Sequence, residues 1–82
     1  MSEYKIVQVF WTDSQTPNVV GWMDQNEISH EPSSIETVGY LIHEDDESVT
    51  IAASVSNDDL VQGVIVIPKA VITSSCDLVQ AF

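Results

Sequence analysis

The sequence predicts a small, mainly β domain in which roughly five short antiparallel strands form a strongly bent sheet or barrel, with one short helix. Three observations indicate this fold. β-Branched and aromatic residues are concentrated in short runs, polar turn signals separate these runs, and one run alternates strictly between apolar and polar residues. Because the chain has only 82 residues, we expect one domain that spans residues 1–82.

The first strand is predicted over Tyr4–Thr12, where β-branched and aromatic side chains dominate. Both of its faces are largely apolar, so we expect the core to cover one face and a helix or a neighbouring subunit to cover the other. A polar loop, Asp13–Asn18, follows the strand. Asp24 and Glu27 have the spacing of a capping box, which predicts a short helix over about Gln25–His30.

The middle of the chain has the pattern of a β-hairpin. Its two strands are Ile35–His43 and Ser48–Ser56, and the acidic turn Glu44–Glu47 connects them. Apolar and small polar residues alternate along the second strand, so one of its faces is expected to be buried and the other to face water. Gly39 lies inside the first strand, which predicts a bulge, a sharp bend or the close approach of another backbone.

Two shorter strands complete the expected sheet. Asn57–Asp59 is a turn signal, and Gly63–Ile67 has the composition of a buried strand. Pro68 cannot donate a hydrogen bond to a neighbouring strand, so the strand breaks or reaches an edge there. Ala70–Thr73 has the composition of a last short strand, whereas residues 74–82 show no clear pattern.

The charge of the chain excludes several functions. Thirteen Asp and Glu residues are opposed by two lysines, and the formal net charge is −11. Binding to nucleic-acid phosphates or to an anionic membrane requires cations, so we expect no direct nucleic-acid partner and no membrane partner. The chain shows no signal peptide and no long apolar run, and Cys76 is its only cysteine. These features predict a cytoplasmic protein without an internal disulfide.

The carboxylates are distributed unevenly along the sequence. Glu44–Glu47 and Asp58–Asp59 flank one predicted strand, whereas residues 60–76 contain no acid. We therefore expect one end of the domain to be strongly negative and the region around Lys69 to be the place where an anion can approach.

Four short motifs resemble a group of small uncharacterised phage proteins. The motifs are Val9–Ser14 with its Trp-x-Asp-Ser turn, Gly21–Asp24 with its Gly-Trp pair, Thr37–Ile42 and Ile67–Lys69. The resemblance covers roughly residues 6 to 73. It implies an Sm-like or SH3-like β-barrel, a phage origin and a location in the host cytoplasm. Phage proteins of this kind often act on the host, including on its nucleotide-signalled defences. The chain lacks the basic pore-lining residues of RNA-binding Sm proteins, so RNA binding is not implied.

Aromatic, carboxylate, hydroxyl and ammonium groups supply candidates for a ligand site. The candidate residues are Trp11, Asp13, Ser14, Trp22, Tyr40 and Lys69. In a binding role, the aromatic rings would stack a planar base, while Asp13 and Ser14 would hold ribose hydroxyls and Lys69 would contact phosphate. Each residue also has a structural alternative. The rings can fill a small core or an interface, Asp13 can cap its own turn, and Lys69 can offset nearby carboxylates.

Metal binding and catalysis have weaker support in the sequence. The pairs His30-Glu31 and His43-Glu44 lack the spacing of a metal motif, and Glu44–Glu47 lacks the spacing and glycine of an EF-hand. Cys76 has no neighbouring histidine, and the glycines are isolated rather than grouped in a phosphate-binding loop. We therefore expect a protein that is not an enzyme and that has no cofactor and no metal.

Two functions are consistent with these residues and with the resemblance. The first is a non-enzymatic phage counter-defence protein that sequesters a small nucleotide-derived host signal between the subunits of a homo-oligomeric barrel. The second is an acidic interaction protein that mimics nucleic acid and blocks a basic host protein. The net charge of −11 counts against the first function, because it opposes the approach of an anionic ligand.

Overall fold

The computed structural model describes residues 4–17 and 20–79, and within them the protein is a single antiparallel sheet. The strands are β1 (Ile6–Asp13), β2 (Ser33–Glu44), β3 (Ser48–Val55), β4 (Val61–Pro68) and β5 (Ile72–Leu78). They lie in the order β4-β3-β2-β1-β5, so the first four strands form a meander and β5 returns to pair with β1. The mainly β prediction is confirmed, whereas β4 and β5 remain two separate edges and do not close the sheet into a barrel.

The core lies on one face of the sheet, which we call the inner face. Val7 and Val9 of β1 are buried there beside Val49 and Ile51 of β3 and Ile67 of β4. Partly buried apolar residues pack around this cluster: Trp11, Leu41, Ile65, Val71 and Ile72. The alternation that predicted one buried face of β3 is confirmed at Val49 and Ile51, but it fails further along, where Ala52 is buried and Ala53 is exposed.

The opposite, outer face carries a row of apolar residues that crosses all five strands. In register, the row consists of Leu78, Ile6, Tyr40, Ala52 and Val64. Within residues 4–17 and 20–79, no helix covers this face. The expectation of a covering helix is thus not met in the described chain, and cover by a neighbouring subunit stays a prediction.

Gly39 of β2 lies where the backbone of β3 leaves no room for a side chain. A Cβ atom at this position would lie 2.6 Å from the carbonyl oxygen of Ala52 and 2.6 Å from Cγ2 of Ile51. Of the three alternatives that the sequence left open at Gly39, the structure supports the close approach of another backbone. The absence of a side chain lets β2 and β3 pack at this distance.

The predicted helix over Gln25–His30 is wrong. This segment forms only a 3-10 turn at Gln25–Glu27, where a carboxylate oxygen of Asp24 accepts a hydrogen bond from the backbone N–H of Asn26 at 3.0 Å. Ile28 is already extended, with φ −78° and ψ 128°. The capping signal was real, but a segment this short cannot offset the cost of helix nucleation.

The end of the sheet is longer than the sequence indicated. A second 3-10 turn, Lys69–Val71, leads directly into β5, which extends to Leu78 rather than ending near Thr73. The side chains of this strand are mostly polar, so its composition did not mark it as a strand. Antiparallel pairing with β1 holds these residues in a strand that their composition did not predict. Asn18, the last residue of the predicted loop, and residues 80–82, at the end of the tail, lie outside the described residues.

Candidate functional site

An open pocket of about 320 Å³ lies beside the second half of β1. Its lining residues are Phe10, Trp11, Thr12, Ser34, Ile35, Glu36 and Thr73. The pairing of β1 with β5 shifts register between Phe10 and Trp11, and Oγ1 of Thr73 donates a hydrogen bond of 3.1 Å to the carbonyl oxygen of Phe10. The irregularity in β5 therefore helps to form the pocket, which we call the Trp11 pocket.

The indole of Trp11 has a fixed orientation. Its Nε1 donates a hydrogen bond of 3.0 Å to Oγ1 of Thr37 on the neighbouring strand, and its ring packs against the inner-face core. Alternation along β1 therefore places the indole on the inner face, while Phe10 and its cross-strand partner Glu36 lie on the outer face. These contacts support the packing role that the sequence offered for Trp11.

The polar groups of the Trp11 pocket suit a ligand rich in hydroxyls. Thr12, Ser34 and Thr73 line it with hydroxyl groups, which can both donate and accept hydrogen bonds. Glu36 supplies a carboxylate, and Nε2 of Gln8 donates a hydrogen bond to it. No lysine lines this pocket, so its electrostatic character is neutral to negative.

The other ligand candidates lie at different places in the fold. Asp13 is exposed at the end of β1, where its carboxylate accepts a hydrogen bond of 2.8 Å from the backbone N–H of Ser14. The side chain of Trp22 is fully exposed. Tyr40 is paired with Ile6 on the outer face, at the other end of β1 from Trp11. Within one copy of the chain, the structure does not bring these residues together with Trp11 in one pocket.

Both lysines of the chain form ion pairs at a second, smaller pocket. Nζ of Lys69 lies 2.9 Å from Glu44, and Nζ of Lys5 lies 3.4 Å from Asp77. The two carboxylates line one pocket of about 60 Å³, together with Val7 and other core residues. The sequence analysis named Lys69 as a candidate but not Lys5. The ion pair of Lys5 depends on the pairing of β1 with β5, which brings Lys5 close to Asp77 and is not visible in the sequence. Lys69 is engaged by a carboxylate, so the expectation of an open site for an anion there needs correction.

The acidic hairpin turn is held by its own hydrogen bonds. The carboxylate of Asp45 accepts hydrogen bonds from the backbone N–H groups of Glu47 and Ser48, at 2.8 and 2.9 Å. These bonds, together with the ring of His43 at 3.2 Å, lower the pKa of Asp45. The role of this carboxylate in the structure is therefore to stabilise the turn.

The two acidic turns lie at opposite ends of β3. Glu44–Glu47 precedes the strand and Asp58–Asp59 follows it, and the eight residues of β3 between them span about 25 Å. The expectation that the acids mark one end of the domain is therefore wrong. Turns that precede and follow the same strand lie at opposite ends of the sheet.

Two further features of the described residues bear on function. No group of three or more His, Cys, Asp or Glu side chains lies close enough to hold a metal ion within residues 4–17 and 20–79. In the same ranges, no helix is long and apolar enough to cross a membrane. No family model matches the chain, and comparisons with curated proteins and with solved structures gave no match either.

Proposed function

We propose that this protein is a non-enzymatic binding protein that sequesters a small nucleotide-derived signal, with the nucleoside part of the ligand in the Trp11 pocket. The observation that carries the proposal is the lining of that pocket. The exposed ring of Phe10 lies on the same face as its cross-strand partner Glu36, and three hydroxyl-bearing residues line the same pocket. A base can stack on the exposed part of such a ring, while ribose hydroxyls hydrogen-bond to the polar groups.

The size of the Trp11 pocket favours part of a ligand rather than a large molecule. About 320 Å³ lies at the lower end of the range of small-molecule sites. The pocket has no cation, so a phosphate group of the ligand must extend out of it. In the proposed homo-oligomer, a neighbouring subunit covers the exposed phosphate and completes the site.

The proposed fold of the assembled protein is an Sm-like or SH3-like barrel. Three features support this proposal: the four-strand meander, the return of β5 to β1, and the 3-10 turn Lys69–Val71 that connects β4 to β5. The resemblance to small phage proteins rests on the motifs Val9–Ser14, Gly21–Asp24, Thr37–Ile42 and Ile67–Lys69. It supplies the proposed setting, which is phage counter-defence in the host cytoplasm.

The alternative function, an acidic mimic of nucleic acid, requires one continuous acidic face. The acidic turns lie at the two ends of β3, whose eight residues span about 25 Å, and Lys69 is paired with Glu44 in one of them. Because the carboxylates are divided in this way, we place the mimic second. Salt-dependent capture of a basic host protein would favour it over the ligand-binding function.

Calorimetry with a panel of nucleosides, nucleoside monophosphates and cyclic oligonucleotides tests the proposal. We expect at least one nucleotide to bind, and mass spectrometry to recover it chemically unchanged after incubation. Glu36→Gln should weaken binding about tenfold, because a charge-assisted hydrogen bond to ribose is lost. A panel that gives no heat, or a ligand that is recovered as a product, would contradict the proposal.

The control variant is Trp22→Ala. This side chain is fully exposed and does not line the Trp11 pocket, so its removal should leave affinity unchanged. Loss of binding in Trp22→Ala together with normal binding in Glu36→Gln would move the site from the pocket to the loop.

A further inference from the structure

The free edge of β4 is an exposed, uncharged strand. β4 ends the sheet on one side, so no strand within the described residues pairs with its outer edge. Val64 and Val66 remain 49% and 59% exposed, and the eight residues of this strand include no charged side chain. Natural edge strands commonly carry charges that prevent association with another strand. β4 has no such protection along most of its length.

The direction of the backbone groups along β4 follows from one hydrogen bond. The N–H of Lys69 donates to the carbonyl oxygen of Glu47 at 2.8 Å, at the end of the β3–β4 ladder. Hydrogen-bonded and non-hydrogen-bonded residues alternate along an antiparallel pair. Val64 and Val66 lie an odd number of residues before Lys69, so their N–H and C=O groups point away from β3. Pro68 is also at an outward-pointing position, where its missing N–H removes no bond within the sheet.

We infer that β4 is a self-association surface, on which two copies of the chain pair antiparallel about a twofold axis at Ile65. Val64 of one copy then stands opposite Val66 of its partner, and the reverse pair forms on the other side of the axis. Each such pair exchanges two backbone hydrogen bonds, and the four valine side chains meet on the outer face. The contact is isologous, so it closes at a dimer and leaves no further edge of the same kind.

The absence of charged side chains on β4 favours a second copy of the chain as the partner at this edge. Two chains of net charge −11 repel each other, so they associate best where neither contributes a carboxylate. Residues 60–76 contain no acid and include the whole of β4. A basic peptide would be drawn instead to the acidic turns at the ends of β3. The other edge strand, β5, carries Asp77 in an ion pair with Lys5, and its side chains are mostly polar.

The inference rests on the proposed function in one respect: it assigns to β4 one of the contacts between subunits that the proposed homo-oligomer requires. It does not require a ligand, so it is tested on the ligand-free protein. Pairing of two edge strands buries less area than a standard interface, and we expect dissociation constants on the order of micromolar.

Sedimentation velocity of the full chain over a range of concentrations tests the inference. We expect a monomer–dimer equilibrium that tightens as salt is added, because screening reduces the repulsion between two acidic chains. Val66→Lys should weaken the dimer at least tenfold. It places two ammonium groups at the contact between the two β4 strands and removes the contacts of two valine side chains. The matched control is Val38→Lys, which changes a 52% exposed valine on the outer face of the central strand β2 and should leave the dimer intact.

Three results would overturn the inference. They are a monomer at all concentrations, self-association that Val66→Lys leaves undiminished, and a dimer that Val38→Lys weakens as much as Val66→Lys does. Circular dichroism verifies that both variants are folded. Should Val66→Lys fail to fold, Val64→Lys at the other outward-pointing position provides the same test, and an undiminished dimer in that variant would equally contradict β4 pairing.

Discussion

The indole Nε1 of Trp11 and the hydroxyl Oγ1 of Thr37 are joined by a hydrogen bond of 3.0 Å that links β1 to β2 through their side chains. Thr37→Val keeps the shape of the side chain and removes the acceptor. We expect the free energy of unfolding to fall by about 1 kcal/mol, because a partly buried N–H loses its partner. Urea denaturation followed by tryptophan fluorescence measures this change. Thr12→Val, which removes a pocket hydroxyl without touching the indole, is the control for stability; an equal loss in both variants would contradict the assignment.

Gly39→Ala is expected to destabilise the sheet by about 1–3 kcal/mol. The added Cβ would collide with the backbone of Ala52, which cannot move without disturbing the β2–β3 ladder. Thermal denaturation compares this variant with Val38→Ala, its neighbour on the exposed outer face. Val38→Ala should change stability by less than about 0.5 kcal/mol. Equal effects at the two positions would show that the close approach at Gly39 has no energetic importance.

The ion pair between Lys69 and Glu44 should contribute little to stability. Both side chains are more than one third exposed, so water and salt screen the attraction. We expect Lys69→Gln to cost less than about 1 kcal/mol and the difference to shrink in concentrated salt. A double-mutant cycle with Glu44→Gln isolates the pair, and a coupling that is insensitive to salt would contradict this account.

Stability should depend on the protonation of Asp45. Its pKa in the folded protein is lowered, so ionised Asp45 favours folding above the ordinary value of 3.8, and this contribution is lost as the pH falls through the lowered pKa. At neutral pH, Asp45→Asn should therefore be less stable than the unchanged protein. The gap should narrow as the pH falls below 3.8. Urea unfolding over a pH series measures it, with Asp46→Asn as the control in the same turn; a gap that widens in acid would oppose the prediction.

Local patterns predicted most of the sheet, because the meander is encoded by neighbouring segments. The hairpin of β2 and β3 has alternating residues and a turn between them, and both features are visible in sequence. Only the first residues of β5 were predicted, because its partner, β1, is distant in the chain and most of its own side chains are polar. The β-propensity of a segment depends on its own residues and contains no information about the strand with which it pairs.

The candidate site was predicted only in part for the same reason. Trp11 was identified by residue type, whereas Ser34, Glu36 and Thr73 reach the pocket through pairing with β1. The motif around Asp13 and Ser14 gave no indication of these partners. One available signal was the predicted long strand Ile35–His43, whose first residues must lie beside the end of β1 if the two strands are antiparallel.

The pairing of β1 with β5 constrains how the protein is made. Ile6 stands opposite Leu78, so the first strand leaves the ribosome long before its second neighbour has been synthesised. Until then, one edge of β1 is open to any other nascent chain, and the core valines on it are only partly enclosed. The same adjacency offers an engineering route. A short linker from Leu78 to Ile6, with new ends cut in the loop between β1 and β2, should give a circular permutant that folds from a contiguous β5–β1 hairpin.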